Sequence, residues 1–414
     1  MSVTSLMPDV GALSNQAFVS DALTAWQKEA RDSVKAMVFP SRKDEAWRYV
    51  PHRQLPALSA YQASAPKEAL ACDLDVYCLE LVDGICVAKP DLQGLTITNM
   101  QEASDDMLPA FTSAIKEDDA WIRLNQAYLT HGVLIELDAQ CELDKPLMIR
   151  ERVTKDATDQ WLQGRFVIEV GENAKLDIIY HLMSEDTSFA LNGVTKMTLA
   201  KHARCSYLRI QDLSSKATCL HQTDISQDTS TDVRVGQFLF GGAITRDAVH
   251  VALEGEHARV DLSGVYFPKS SQYMNIYTHM THAVPKTYAN QMYRGILCDQ
   301  GQGVFYGRVH VLKDAQKTEA YQRNANLILG DKARVNTKPE LEIYADDVVC
   351  SHGATVGQLD EDQLFYLRSR GIPEKQAHAL LLDGFARSST DCWEDSPAHD
   401  LLLAGVAAAS HTEE

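Results

Sequence analysis

Residues 255–267 read GEHARVDLSGVYF: a turn-forming Gly-Glu-His, a small alanine, a basic residue, then hydrophobic alternation that ends in an aromatic pair. Such alternation puts apolar side chains on one face of a β-strand. The first six residues return loosely as GENAKL from Gly171, AKHARC from Ala200, STDVRV from Ser230 and GDKARV from Gly330. Taken in chain order the five units start 29, 30, 25 and 75 residues apart, the last being three times 25, so the period is about 25 to 30 residues. Lys or Arg is fifth in every unit. A turn repeated at near-constant spacing predicts a β-solenoid, in which each coil buries its apolar face only against its neighbours. A β-sandwich whose hairpin turns resemble one another is the alternative the pattern leaves open.

From about residue 130 to 352 the chain is a series of short β-branched and aromatic runs, among them GVLIELDAQ, RFVIEV, KLDIIYHLM, VRVGQFLF and GVFYGRVHVL, with no convincing helix between them. The flanks differ. Residues 14 to 37 space Phe18, Leu23, Trp26, Ala30, Val34 and Met37 at three-to-four intervals and predict an amphipathic helix closed by Pro40, followed by the charged, aromatic SRKDEAWRYVP. After His352, DEDQLFYLRSRG predicts a helix stopped at Gly371, Pro373 opens a second over EKQAHALLLDGFARSS, and PAHDLLLAGVAAAS predicts a third. The expected organisation is an N-terminal helical and mixed domain over 1–130, a β core over 131–355 and a C-terminal helical domain over 356–414.

Composition narrows the function. With 39 basic and 57 acidic residues in 414 the net charge is −18, which disfavours phosphate backbones and anionic membranes and leaves protein or metal partners. The longest apolar run, Leu401 to Ala409, is far short of the roughly 20 residues a membrane helix needs. The first basic residue is Lys28, so the charged start of a secretory signal is missing and a cytoplasmic location is expected. Nine scattered cysteines without a C-x-x-C pair read as reduced thiols. No phosphate-loop motif occurs, so no ATP site is expected in this chain; GQGVFYG (Gly301 to Gly307) is spaced wrongly for a dinucleotide fingerprint; no G-x-S-x-G elbow is present.

Two constellations carry possible chemistry. His279 and His282 (HMTH) are three apart, so in a strand they face opposite sides and share an ion only if the chain turns. Cys350 and His352 are two apart and share a face; thiolate and imidazole together suit iron or zinc. Two ligands are too few for a closed site, so further ligands must come from elsewhere in the fold or from a second chain. A buried cysteine beside a capping histidine remains the plainer alternative.

Asn336 to Ile372, NTKPELEIYADDVVCSHGATVGQLDEDQLFYLRSRGI, closely resembles the C-terminal signature of the SufB/SufD family of the Suf iron–sulfur cluster assembly machinery. SRKDEAWRYVP, FLFGGAITR, ILCDQGQGVFYGRVHV and QRNANLILG extend the resemblance over residues 15 to 388. Cys-Ser-His-Gly-Ala-Thr, where SufB proteins typically carry a His-Glu-Ala-Thr type sequence, places the chain with the SufD branch. The resemblance implies a right-handed parallel β-helix between helical ends, a heterodimer with SufB, docking of the SufC ATPase on the C-terminal helices, and a non-catalytic scaffold role. It implies that His352 is an iron ligand for a transient nascent Fe–S cluster shared with SufB, that Cys350 is a nearby ligand or sulfur carrier, and that His282 is an interface or supporting residue. Arg368 and Arg370 are the expected SufC contacts, and a homodimer is the expectation for the isolated chain. Competing readings are a metal-dependent enzyme on a β-solenoid or sandwich using His279, His282, Cys350 and His352, and a carbohydrate-active β-helix resting on Asp346, Asp347 and Lys338.

Overall fold

The computed structural model describes residues 21–56, 59–60, 67–112 and 120–410. Four short strands lie in the N-terminal region: β1 (Ser59–Ala60), β2 (Tyr77–Val82), β3 (Ile85–Ala88) and β4 (Leu95–Asn99). Then come β5 (His131–Leu137), β6 (Leu147–Val153), β7 (Gln160–Val170), β8 (Lys175–Ser184), β9 (Ala190–Leu199), β10 (Arg204–Leu213), β11 (Thr218–Gln227) and β12 (Asp232–Gly241). They continue as β13 (Ile244–Leu253), β14 (Arg259–Tyr266), β15 (Tyr273–His282), β16 (Tyr288–Leu297), β17 (Gln302–Val311), β18 (Thr318–Ile328), β19 (Arg334–Ile343) and β20 (Val348–Gly357).

Successive strands from β5 onward alternate between two sheets, and from β7 onward each pairs in parallel with the strand two places before it. Two strands per coil make about eight coils of a β-solenoid, so the solenoid expectation holds and the sandwich does not. β2, β3 and β4 extend the same two sheets at the N-terminal end, so sheet pairing crosses residue 130.

Parallel in-register stacking puts residues one coil apart directly above one another. Ile135, Ile168, Met197, Ile225, Val251, Met280, Val309 and Leu341 form one such column, and all but the last are almost wholly buried. At roughly 25 cal/mol per Å² of apolar surface, such columns supply most of the stability that a solenoid has.

The repeated turn has a physical definition. Asn173, His202, Ser230, His257, Lys286 and Lys317 all have φ between +56° and +63°, and each is followed by a buried small residue: Ala174, Ala203, Thr231, Ala258, Thr287 and Thr318. The left-handed residues stack as well: the N–H of Asn173 donates to Lys201 O at 3.0 Å, that of His202 to Thr229 O at 2.9 Å and that of Ser230 to Glu256 O at 2.9 Å. Two sequence assignments therefore shift. Asp228, not Ser230, corresponds to Gly171, and GDKARV lies between β18 and β19, at the other edge of the solenoid from the remaining units. Measured on the left-handed residues, successive intervals from Asn173 are 29, 28, 27, 29 and 31.

Helix α1 (Asp21–Val34) buries Leu23, Gln27, Ala30 and Val34; Phe18 of the expected longer helix lies outside the described residues. After the short α2 (Leu108–Thr112), α3 (Ala120–Ala127) packs on α1. The SRKDEAWRYVP segment lies on the outer face of the odd-numbered sheet: Trp47 stacks on Trp121 at 6.0 Å and lies 4.0 Å beneath the Arg246 guanidinium. At the other end, α4 (Glu361–Ser369) starts on Asp360, whose carboxylate accepts the N–H groups of Asp362 and Gln363, and ends near Gly371 at φ +85°. α5 (Glu374–Thr390) and α6 (His399–Ser410) pack Leu382, Ala386, Leu402 and Val406 on Phe238, Phe240 and Val265 of the even-numbered sheet. Among the described residues no helix is long and apolar enough to cross a membrane.

Candidate functional site

The solenoid is closed at one end by β2, β3 and β4 and open at the other. β19 and β20 terminate their sheets, and among the described residues no strand pairs with their outer edges. Unpaired strand edges are templates for another chain. Ile343, Tyr344, Val349 and Val356 crowd this end, Val349 with 58% of its surface exposed and Val356 with 50%.

Cys350 and His352 are both on β20, on the face that continues the solenoid interior, because they stack in register on buried Ala320 and Gln322 of β18. Only β20's terminal position leaves that face uncovered. Cys350 is half-buried and packs on the core edge, ending a column of Leu176, Cys205, Val233, Val260, Ala289 and Ala320. His352, two residues on, is exposed. The pairing of a thiol and an imidazole on one face is thus as expected from their spacing.

Burial pushes the Cys350 thiol above its ordinary value, with a backbone hydrogen bond from Ala320 partly offsetting it. The sulfur is a protonated thiol at neutral pH, and metal binding there must displace a proton. Among the described residues no group of three or more His, Cys, Asp and Glu side chains is placed to hold a metal ion.

The other candidates lie elsewhere. His282 is fully buried in the lumen, in a column between Leu253 and Val311, with Nδ1 2.7 Å from Thr287 Oγ1. Its strand, β15, is in the opposite sheet from β20, and His282 does not meet Cys350 or His352. Burial lowers its pKa to about 4, so it is neutral at physiological pH. His279 faces outward on the same strand, as the spacing requires, between His250 (ring centroids 5.9 Å) and His310 (6.5 Å). Arg368 pairs with Glu374 at 3.3 Å and Arg370 lies 5.2 Å from the Tyr366 ring. Beside them Phe365 is 72% exposed and Tyr366 58%, apolar surface that the charge pattern of this helix did not flag.

Sequence reading also missed a polar filling of the lumen. His131 and Glu151 are 3.0 Å apart, Tyr180 donates to Glu151 at 2.5 Å, and Arg209 pairs with Asp247, which also accepts from Gln237 at 2.9 Å. Gly193, one coil before His221, makes room for that ring, since a Cβ there would come within 2.6 Å of it.

A two-sheet, mainly parallel β-solenoid with an open end that carries Cys350 and His352, and with helices at both termini, is the class these features define. Residues 153–385, more than half of the chain, match the SufBD core domain of the SUF system for FeS cluster assembly, and the chain belongs to that family. It is 28% identical over 378 residues to the iron–sulfur cluster assembly protein SufD of Escherichia coli (strain K12), covering 89% of this chain and 88% of that one. A SufBD family protein of Synechocystis is 28% identical over 419 residues (94% and 92% of the two chains), and Protein ABCI7, chloroplastic, of Arabidopsis thaliana is 26% identical over 368 residues (84% and 78%).

Proposed function

We propose that this chain is a non-catalytic scaffold subunit of the Suf assembly complex, pairing with SufB through the open end of its solenoid and carrying SufC on its C-terminal helices. The observation that carries the reading is the position of Cys350 and His352: both lie on the uncovered interior face of the terminal strand β20, where a second solenoid would extend the sheets and add the missing ligands. The nascent Fe–S cluster is cargo held at that seam. His352 is its iron ligand from this chain, and Cys350 lends sulfur ligation once its proton is displaced. SufC docks on α4 and the start of α5, where Phe365 and Tyr366 stand exposed beside Arg368 and Arg370. In the cell the complex works in the cytoplasm, and the chain alone forms a homodimer through the same end.

Co-expression with SufB and SufC tests the reading. The expected result is a three-component complex and, for His352→Ala, an intact complex with reduced cluster assembly. A chain that joins neither partner and purifies with one tightly held zinc sinks it.

A further inference from the structure

The column of interior residues that ends at His352 changes character along the solenoid. In register it runs Leu147, Ile178, Tyr207, Val235, Leu262, Gln291, Gln322 and His352. The last three positions are two amides and an imidazole. Gln291 is fully buried and Gln322 is 1% exposed, a placement that amides tolerate only with their hydrogen bonds made.

The bonds that are made fix how Gln322 faces. Gln291 Oε1 accepts from Thr278 Oγ1 at 2.6 Å and from Gln322 Nε2 at 3.4 Å. Gly307, opposite on β17, leaves the space in which the Gln322 nitrogen lies; a Cβ there would collide with it. With its nitrogen turned to the preceding coil, Gln322 keeps Oε1 buried and unpaired, and Gln291 Nε2 is the one other atom of the two amides left without a partner. An orphaned buried acceptor costs free energy until a donor reaches it. Residues one coil apart in a parallel sheet are about 4.8 Å apart, within reach of a side-chain hydrogen bond. The residue one coil on is His352, whose ring is exposed and has no hydrogen-bond partner among the described residues.

We propose that Gln322 is the positioning residue for His352: its Oε1 accepts the N–H of one imidazole nitrogen, fixes the tautomer, and turns the other nitrogen with its lone pair toward the open end of the solenoid. A histidine ligand generally needs its second nitrogen held in this way. The inference rests on the reading of His352 as the assembly histidine.

The test uses the full chain labelled with nitrogen-15 histidine, with the His352 resonances identified by their loss in His352→Ala, recorded at a pH where the ring is neutral. Wild type is expected to show one tautomer. Gln322→Met, close in shape but without an acceptor, is expected to populate both, and Gln322→Glu, which keeps the acceptor, to restore one. If Gln322→Met does not fold, Gln322→Asn, whose acceptor is withdrawn by one methylene, takes its place with the same expected mixture. Equal tautomer populations in wild type and Gln322→Met, or a mixture in wild type, overturn the proposal. A single Gln322-dependent tautomer with undiminished cluster assembly in His352→Ala keeps the positioning and removes the function proposed for the histidine; a mixed tautomer with diminished assembly does the reverse.

Discussion

Arg209 and Asp247 form an ion pair inside the solenoid, one residue from each sheet, both fully buried. The guanidinium also donates to Gln211 at 3.3 Å, and Asp247 accepts from Gln237 at 2.9 Å, so the charges are embedded in hydrogen bonds. Removing one member of such a pair leaves its partner charged and dry, which costs roughly 3–5 kcal/mol. Asp247→Asn is expected to lose about that much in urea unfolding. Arg209→Met combined with Asp247→Leu is expected to lose clearly less than the two single losses added.

The same lumen sets an acid limit. Burial alone would raise the Asp247 carboxyl, but Arg209 and the hydrogen bonds from its neighbours outweigh it and hold the group below the usual carboxylate range; Glu151 is likewise lowered by His131 and Tyr180 against its burial. Depressed carboxyls stabilise the fold fully above the unfolded value and lose that contribution as pH falls through the folded one.

His282 titrates in a different window. Its folded pKa is about 4 against an ordinary 6.5, because burial disfavours the cation. Above pH 6.5 both states are neutral and nothing is lost; between 6.5 and 4 the unfolded chain takes up a proton that the folded chain refuses, so stability falls as pH falls. The difference 6.5 − 4 corresponds to about 3 kcal/mol at most. His282→Leu, matching Leu253 and Val311 in its column, is expected to flatten the stability curve over that window while changing stability little at neutral pH. An unchanged slope would show that other histidines set it.

The turn column restricts size. Ala174, Ala203 and Ala258 sit behind left-handed residues at 1%, 0% and 0% exposure, with Thr at the equivalent Thr231, Thr287 and Thr318. Ala258→Leu forces apart coils on either side and is expected to cost at least 1–3 kcal/mol, read as a fall in the urea midpoint. Ala258→Thr is expected to cost less, since the fold already accepts threonine there.

These positions also show what could be read without coordinates. The solenoid was legible, with a β-sandwich left open, because strand alternation and the small residue after each turn follow from local chemistry; its division into two sheets came only from the structure. The exact register was not: a left-handed residue is supplied by Asn, His, Ser or Lys, so Asp228-Thr229-Ser230 and Val284-Pro285-Lys286 share one turn geometry without sharing letters. Cys350 and His352 were legible as a same-face pair from their spacing alone. The exposure of His352 and the half-burial of Cys350 were not, because both depend on β20 being the last strand of its sheet. Likewise Arg209 and Asp247 read as ordinary strand charges until the facing sheets bring them together, and Gln322 gains its meaning only from the residue one coil above.

Partner binding at the two proposed surfaces should separate cleanly. Val356 lies on the open interior face of β20 and Phe365 on α4, which contributes only Leu364 to the buried interior. Both side chains are exposed, so replacing either leaves the core intact and changes stability by less than about 0.5 kcal/mol. A lysine at the terminal strand opposes apolar packing and strand addition by a second solenoid. Val356→Lys is therefore expected to lose SufB while still retaining SufC in co-purification. Phe365→Asp removes an apolar anchor from a surface that already carries Arg368 and Arg370, and is expected to lose SufC while keeping SufB. Light scattering of each purified complex reads the subunit lost from the mass. If Val356→Lys instead released SufC, or Phe365→Asp released SufB, the assignment of the open end to one partner and of the C-terminal helices to the other would be overturned.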